Sequence, residues 1–262
     1  MVTQSAWHLD GQINCDHRRV TLSIVKVITD FKPETHGFGF PNRFSGGQVV
    51  GELARQGRLD ELAGLDLPAV LPDMISLIRG MSFWGTFGLC GGMSWAALDA
   101  FFAGQSAPTL SGPGPDSDLF GLLVRRQADS MRGTAMLERC LRWQITPDQA
   151  PWWWPWSTSV RGATEREEWP QLKVALDAGR PESLCLIRVR GVASPDRHHQ
   201  VVATGYELEG SNLRVRLYDP NHPKATPVLT MQLRRRPYKM EPRQTTGEDL
   251  RGFFVWPHLP PP

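Results

Sequence analysis

The sequence predicts an α+β fold built as one domain over residues 1–262. Helical periodicities fill a part from about 50 to 180, and β-branched, alternating runs gather from about 181 to 256. That segregation points to helices packed on one side of a C-terminal antiparallel sheet. The chain has 262 residues and is 40% hydrophobic, enough apolar mass for a substantial core. The tail 257–262, Pro-His-Leu-Pro-Pro-Pro, has too many prolines for regular structure.

Taken in order, Val20 to Ile28 is β-branched and reads as a strand, and Phe38 to Gly47 is a Gly- and aromatic-rich loop. Gly51 to Leu65 is weakly helical, and Pro72 to Gly80 forms a short helix with proline in its first turn. Cys90 to Phe102 is a stronger helix, because Met93, Ala96, Ala97, Ala100 and Phe101 recur at helical spacing. Gln105 to Asp118 is a Pro/Gly/Ser loop. Leu119 to Trp143 is the longest helical pattern, with Gly133 as a point of breakage. A further helix has Pro170 near its start and Gly179 past its end. Strands are expected over Leu184–Arg190, His199–Tyr206, Leu213–Asp219, Pro227–Leu233 and Phe253–Trp256.

Composition excludes several classes of function. A charged fraction of 21% and a net charge of +2 describe neither a disordered tail nor a nucleic-acid binder. No run of about 18 apolar residues exists, so no membrane span is expected. The N-terminus has no basic-then-apolar signal, so a cytoplasmic location is expected. The four cysteines (Cys15, Cys90, Cys140, Cys185) form no Cys-x-x-Cys pair and read as free thiols. His198 and His199 adjoin and so face opposite ways on a strand, which argues against a metal site. With no phosphate loop either, no cofactor is expected.

One cysteine stands apart. Cys90, in Phe87-Gly-Leu-Cys-Gly-Gly-Met-Ser-Trp95, sits at a helix entry, where unpaired amides and the positive end of the dipole favour a thiolate. The glycines around it would let a substrate backbone approach. Cys140 lies within a helical pattern and Cys185 on a strand face, and both read as core residues.

Downstream, Leu213, Val215, Leu217 and Asp219 alternate with Arg214, Arg216 and Tyr218, so a carboxylate extends an apolar row and needs a partner. A hairpin turning near Glu209-Gly210 supplies one, since it brings His199 and Asp219 close to cross-strand neighbours. A bulge at the turn would make Asn221 the alternative. A carboxylate orienting an imidazole that serves a thiolate is the logic of acyl transfer.

On these residues the chain resembles the papain-like cysteine peptidase superfamily, in which the nucleophilic Cys opens a central helix and a β part carries His and then Asn or Asp. Cys90-Gly-Gly-Met-Ser-Trp is similar to the family's helix start. His199-Gln-Val-Val-Ala-Thr-Gly-Tyr is similar to its His strand. Asp219-Pro-Asn resembles the Asp-Pro of bacterial peptidases that process double-glycine leaders. The motifs span about residues 80–222, and the Leu-Cys-Gly-Gly-Met and Tyr-Asp-Pro-Asn segments are also similar to an uncharacterised bacterial group. The resemblance implies a Cys90–His199–Asp219 triad that hydrolyses or transfers at a peptide or amide bond, with a peptide or protein substrate. Papain-type enzymes carry a Gln six residues before the Cys, whereas this chain has Trp84. Its indole N–H, the Cys90 backbone N–H, Asn42 and Gln48 are the candidate oxyanion donors, with Asn221 supporting. Trp152, Trp153 and Trp154 are candidates for a substrate cleft, with Trp169 joining them. The alternative is an inactive papain-like fold used as a binding module. A transglutaminase-like or deamidating activity is a third reading. Arg234–Arg236 reads as a solvated strand end.

Overall fold

The structure, a computed structural model, describes residues 24–58, 86–107, 112–114, 117–133, 135–150, 153, 158–191, 197–223, 225–233, 242–248 and 250–261. The helix expected over 72–80, the start of the first strand, Cys15, Trp84, Trp152, Trp154 and Arg234–Arg236 lie outside these residues.

Among the described residues the elements run β1 (Ile24–Ile28), α1 (Pro33–His36), β2 (Phe44–Ser45), α2 (Gly46–Arg55), β3 (Thr86–Phe87), α3 (Cys90–Phe102), α4 (Asp118–Met131) and α5 (Ala135–Ile145). Then come α6 (Val160–Ala163), a π-helical turn (Thr164–Glu168), α7 (Trp169–Asp177) and six strands. These are β4 (Glu182–Ile187), β5 (His199–Glu209), β6 (Asn212–Tyr218), β7 (Val228–Gln232), β8 (Arg243–Gln244) and β9 (Gly252–Val255).

The long pattern 119–143 divides where expected. Arg132 (φ 50°) and Gly133 (φ 63°) both adopt left-handed conformations that end α4 before α5 begins. In contrast, α2 starts at Gly46, inside the segment read as a loop, with Ser45 at its N-cap position.

One antiparallel sheet has the order β8-β7-β6-β5-β4-β9, and β1 pairs with β5 off this path. β5 is long enough to serve two neighbours on one edge: its first half pairs with β4 and its second half with β1. β1 comes from far before the region 181–256 where β structure is expected to gather, so helical and β parts are less segregated than expected.

The expectation of helices on one side is also corrected. Side chains alternate across a strand, and here both sets are buried against helices. Leu184, Leu186, Val201, Ala203, Phe253 and Val255 pack with Trp169, Leu172 and Leu176 of α7. Cys185, Ile187 and Phe254 point the other way, onto Trp95 of α3 and Cys140 of α5. Val202 and Tyr218 meet Leu89, Met93 and Ala97 in the same layer as α3. This explains the unbroken apolar run from Leu184 to Ile187 in β4, since a strand covered on both faces has no polar side. α3 is covered on every side, with Gly91 to Leu98 all buried, as expected of a central helix.

The glycines after Cys90 have a packing reason. A Cβ on Gly92 would run into the Leu123 carbonyl of α4, and one on Gly91 into the side chains of Ser130 and Gln200. They let α3 close on its neighbours, which replaces the expectation that they admit substrate.

Candidate active site

Two long-range ties fix the entry of α3. The Leu89 N–H, one residue before the helix, donates to Asn42 Oδ1 at 2.5 Å, and Asn42 Nδ2 donates to Asn221 Oδ1 at 3.0 Å. The Asn42 N–H also donates to the Pro220 carbonyl at 3.0 Å. One buried asparagine thus joins the segment carrying Cys90 to the one carrying Asp219. Gly88 makes room for it, because a Cβ there would lie 2.9 Å from Asn42 Nδ2.

His199 opens β5, and its Nε2 lies 2.6 Å from Asp219 Oδ1. That leaves Nδ1 as the ring nitrogen able to serve Cys90, and the His199 side chain is near enough to lower the Cys90 thiol. The Cys90 sulfur, half-buried, also accepts from the Gln200 N–H at 3.4 Å.

The hairpin joining His199 to Asp219 differs from the expected one. Its turn is Gly210-Ser211, because Glu209 pairs with Asn212, and the register shifts between Ala203 and Gly205, leaving Thr204 as an extra residue in mid-strand. Continuing the Val202↔Tyr218 register sets Asn221 opposite His199 and Asp219 diagonal to it. The diagonal contact is the one made, within the reach of a long side chain.

Asp219 is fully buried and well satisfied. Oδ1 also accepts from the Asn221 N–H at 2.8 Å, and Oδ2 accepts from Gln244 Nε2 at 2.5 Å. Burial alone would raise its pKa, but the charge and hydrogen bond of His199 and the other donors hold it at about 2. Burial opposes a charged His199, yet the Asp219 carboxylate, aided by Cys90, raises that imidazole to about 9. Burial pushes the Cys90 thiol up too. The His199 hydrogen bond and charge, with the N–H groups of Gln200 and Gly91, outweigh it and lower the thiol below its ordinary value. The arrangement therefore favours thiolate and imidazolium side by side.

The remaining candidates divide. Asn42 sits against the α3 entry as a bridge, and among the described residues its amide nitrogen makes one side-chain hydrogen bond, to Asn221 Oδ1. Gln48 is exposed on α2, not in a loop, and so is not positioned as expected. Among the described residues the Cys90 backbone N–H has no acceptor, which keeps it available to an oxyanion. Trp153 is 66% exposed. Trp169 is instead buried on Tyr206, on the sheet face away from α3, and does not join a cleft there. His198 turns away from His199 and accepts from the Arg188 N–H at 3.3 Å. Burial and the charges of Arg251 and Arg188 hold it at about 4. His222 Nε2 meets Glu248 Oε1 at 2.7 Å, and with Asp219 these place three possible ligand atoms within 4.8 Å of one another.

Sequence reasoning missed Gln244, which arrives on the two-residue strand β8. A lone glutamine so far along the chain carries no motif. The only available signal was the unmet need of a buried carboxylate for more donors than one histidine provides.

No family model, no curated protein and no solved structure matches the chain. No described helix is long and apolar enough to cross a membrane.

Proposed function

We propose that the chain is a thiol-dependent hydrolase or acyltransferase of papain-like architecture, acting at a peptide or other amide bond. The observation that carries the reading is the buried His199–Asp219 pair beside a half-buried Cys90 whose thiol that imidazole lowers, at the N-terminus of a central helix.

The Cys90 thiolate attacks the substrate carbonyl carbon. The S–C bond forms as the C=O π pair moves to oxygen, toward the Cys90 N–H. When that pair returns, the C–N bond breaks and the amine leaves with the proton carried by His199. The acyl-thioester is then resolved by water or an amine, whose proton passes back to His199 as the C–S bond breaks and thiolate is restored. Asp219 stays ionised throughout and keeps the ring oriented.

The test is the reaction of the intact protein with iodoacetamide across pH, located by peptide mass spectrometry, and with p-nitrophenyl acetate. Cys90 should alkylate faster than an ordinary thiol below about pH 7. The ester should leave an acetyl adduct on Cys90 that turns over. Ordinary thiol behaviour at Cys90, with no adduct, would refute the reading and leave the binding-module alternative.

A further inference from the structure

We infer that Gln244 is a positioning residue of this site, whose side-chain amide fixes the rotation of the Asp219 carboxylate so that Oδ1 points at His199. The inference rests on Cys90, His199 and Asp219 acting as proposed above.

The Gln244 side chain is buried, and its Nε2 donates to Asp219 Oδ2 at 2.5 Å. Its other end is the informative one: Gln244 Oε1 is buried with no hydrogen-bond partner among the described residues. An orphaned buried carbonyl is unfavourable, so something else must dictate which way the amide faces. Turning the amide over would aim a carbonyl lone pair at an anionic oxygen. The negative charge of Asp219 therefore selects the orientation, and the selected orientation in turn holds the carboxylate.

The two carboxylate oxygens are supplied differently. Oδ1 takes the His199 ring and the Asn221 N–H, whereas Gln244 is the side-chain donor to Oδ2. Without Gln244, a fully buried oxygen loses that donor, the carboxyl can exchange its oxygens by rotation, and its anionic form is less favoured. The backbone pairing of β8 with β7, Leu229 opposite Gln244, fixes where the amide starts from. The titratable groups facing Asp219 are His199 from β5, Tyr218 beside it on β6, His222 just after it, and Glu248 after β8.

The experiment compares wild type, Gln244→Met and Gln244→Glu by pH-resolved iodoacetamide alkylation of Cys90, with thermal melting of the same samples. Gln244→Met keeps the volume but removes the donor. It should move the acid limb of Cys90 alkylation to higher pH and slow the reaction by about tenfold at about pH 6. Gln244→Glu should behave like wild type at low pH, where a protonated carboxyl still donates to Oδ2. It should lose Cys90 reactivity as pH rises and two carboxylates face each other. A role confined to folding lowers the melting temperature without creating that reversed pH dependence. If Gln244→Met does not fold, the Gln244→Glu profile decides alone. Wild-type profiles in folded variants overturn the inference and leave the site reading intact. An unactivated Cys90 in the wild type overturns both.

Discussion

Cys90 and Cys185 lie against the same stretch of β5, yet their surroundings push the two thiols in opposite directions. Cys185 is the cross-strand partner of Gln200, whose N–H donates to the Cys90 sulfur. Burial drives the Cys185 thiol well above its ordinary value, and its sulfur neighbour Cys140, at 3.7 Å, pushes it further. Burial acts in the same sense on Cys90. There a charged imidazole and two backbone N–H groups overcome it. The difference teaches that depth in the fold does not activate a thiol; a partner able to hold the opposite charge does.

That comparison can be broken most directly at His199. His199→Ala should leave Cys90 with little beyond burial, so its alkylation at about pH 6 should fall by roughly 100-fold, toward the behaviour of Cys185. Persistence of the low-pH reaction would sink the argument. The next effect is at Asp219. Asp219→Asn keeps the shape but removes the charge that raises the imidazole, and should slow the same reaction by about tenfold or more.

The same substitution has a signature in stability. His199 is raised in the fold, so its contribution is complete below its unfolded value of about 6.5 and is lost as pH rises through about 9. Asp219 is lowered, so its contribution is complete above about 4 and is lost as pH falls through about 2. The stability difference between wild type and Asp219→Asn should therefore be widest between about pH 4 and 6.5 and shrink on both sides. Denaturant melts across that range measure it, and a flat difference would contradict the pairing.

Gly92→Ala sharpens the contrast from the packing side. Its new methyl meets backbone rather than a yielding side chain, so a loss of roughly 1–3 kcal/mol in unfolding free energy is expected. The smallest effect belongs to the buried pair. Cys185→Ala should lower stability by about 1 kcal/mol and leave the pH profile of Cys90 alkylation where it was. A moved profile would mean that the two thiols are coupled.

Much of this arrangement was legible in the sequence, and the rest was hidden for physical reasons. The α3 span, its buried helical stripe and the break at Arg132-Gly133 are local properties of a few neighbouring residues, and periodicity reports those. The need of Asp219 for a partner follows from a charge placed in an apolar row. The pairing of β1 with the far half of β5 joins residues about 180 positions apart by backbone hydrogen bonds, which leave no pattern in side chains. α7 was readable as a helix, but the sheet face it covers is decided by packing. Gln48 was misplaced because Gly46 and Gly47 spell a loop although the chain is already helical there.

The extra residue at Thr204 has a consequence beyond bending a strand. Before it, Val201 and Ala203 face α7; after it, Tyr206 and Leu208 do, so the apolar sequence of β5 changes phase from odd to even positions. A hairpin without that shift would set Asp219 opposite Val202, on the side of Gln200 rather than of His199. Thr204 therefore works as a spatial frameshift. Pairing Thr204 into a regular ladder would preserve a plausible β-hairpin and its hydrogen bonds, yet send the carboxylate to the wrong side of the sheet from the imidazole it serves.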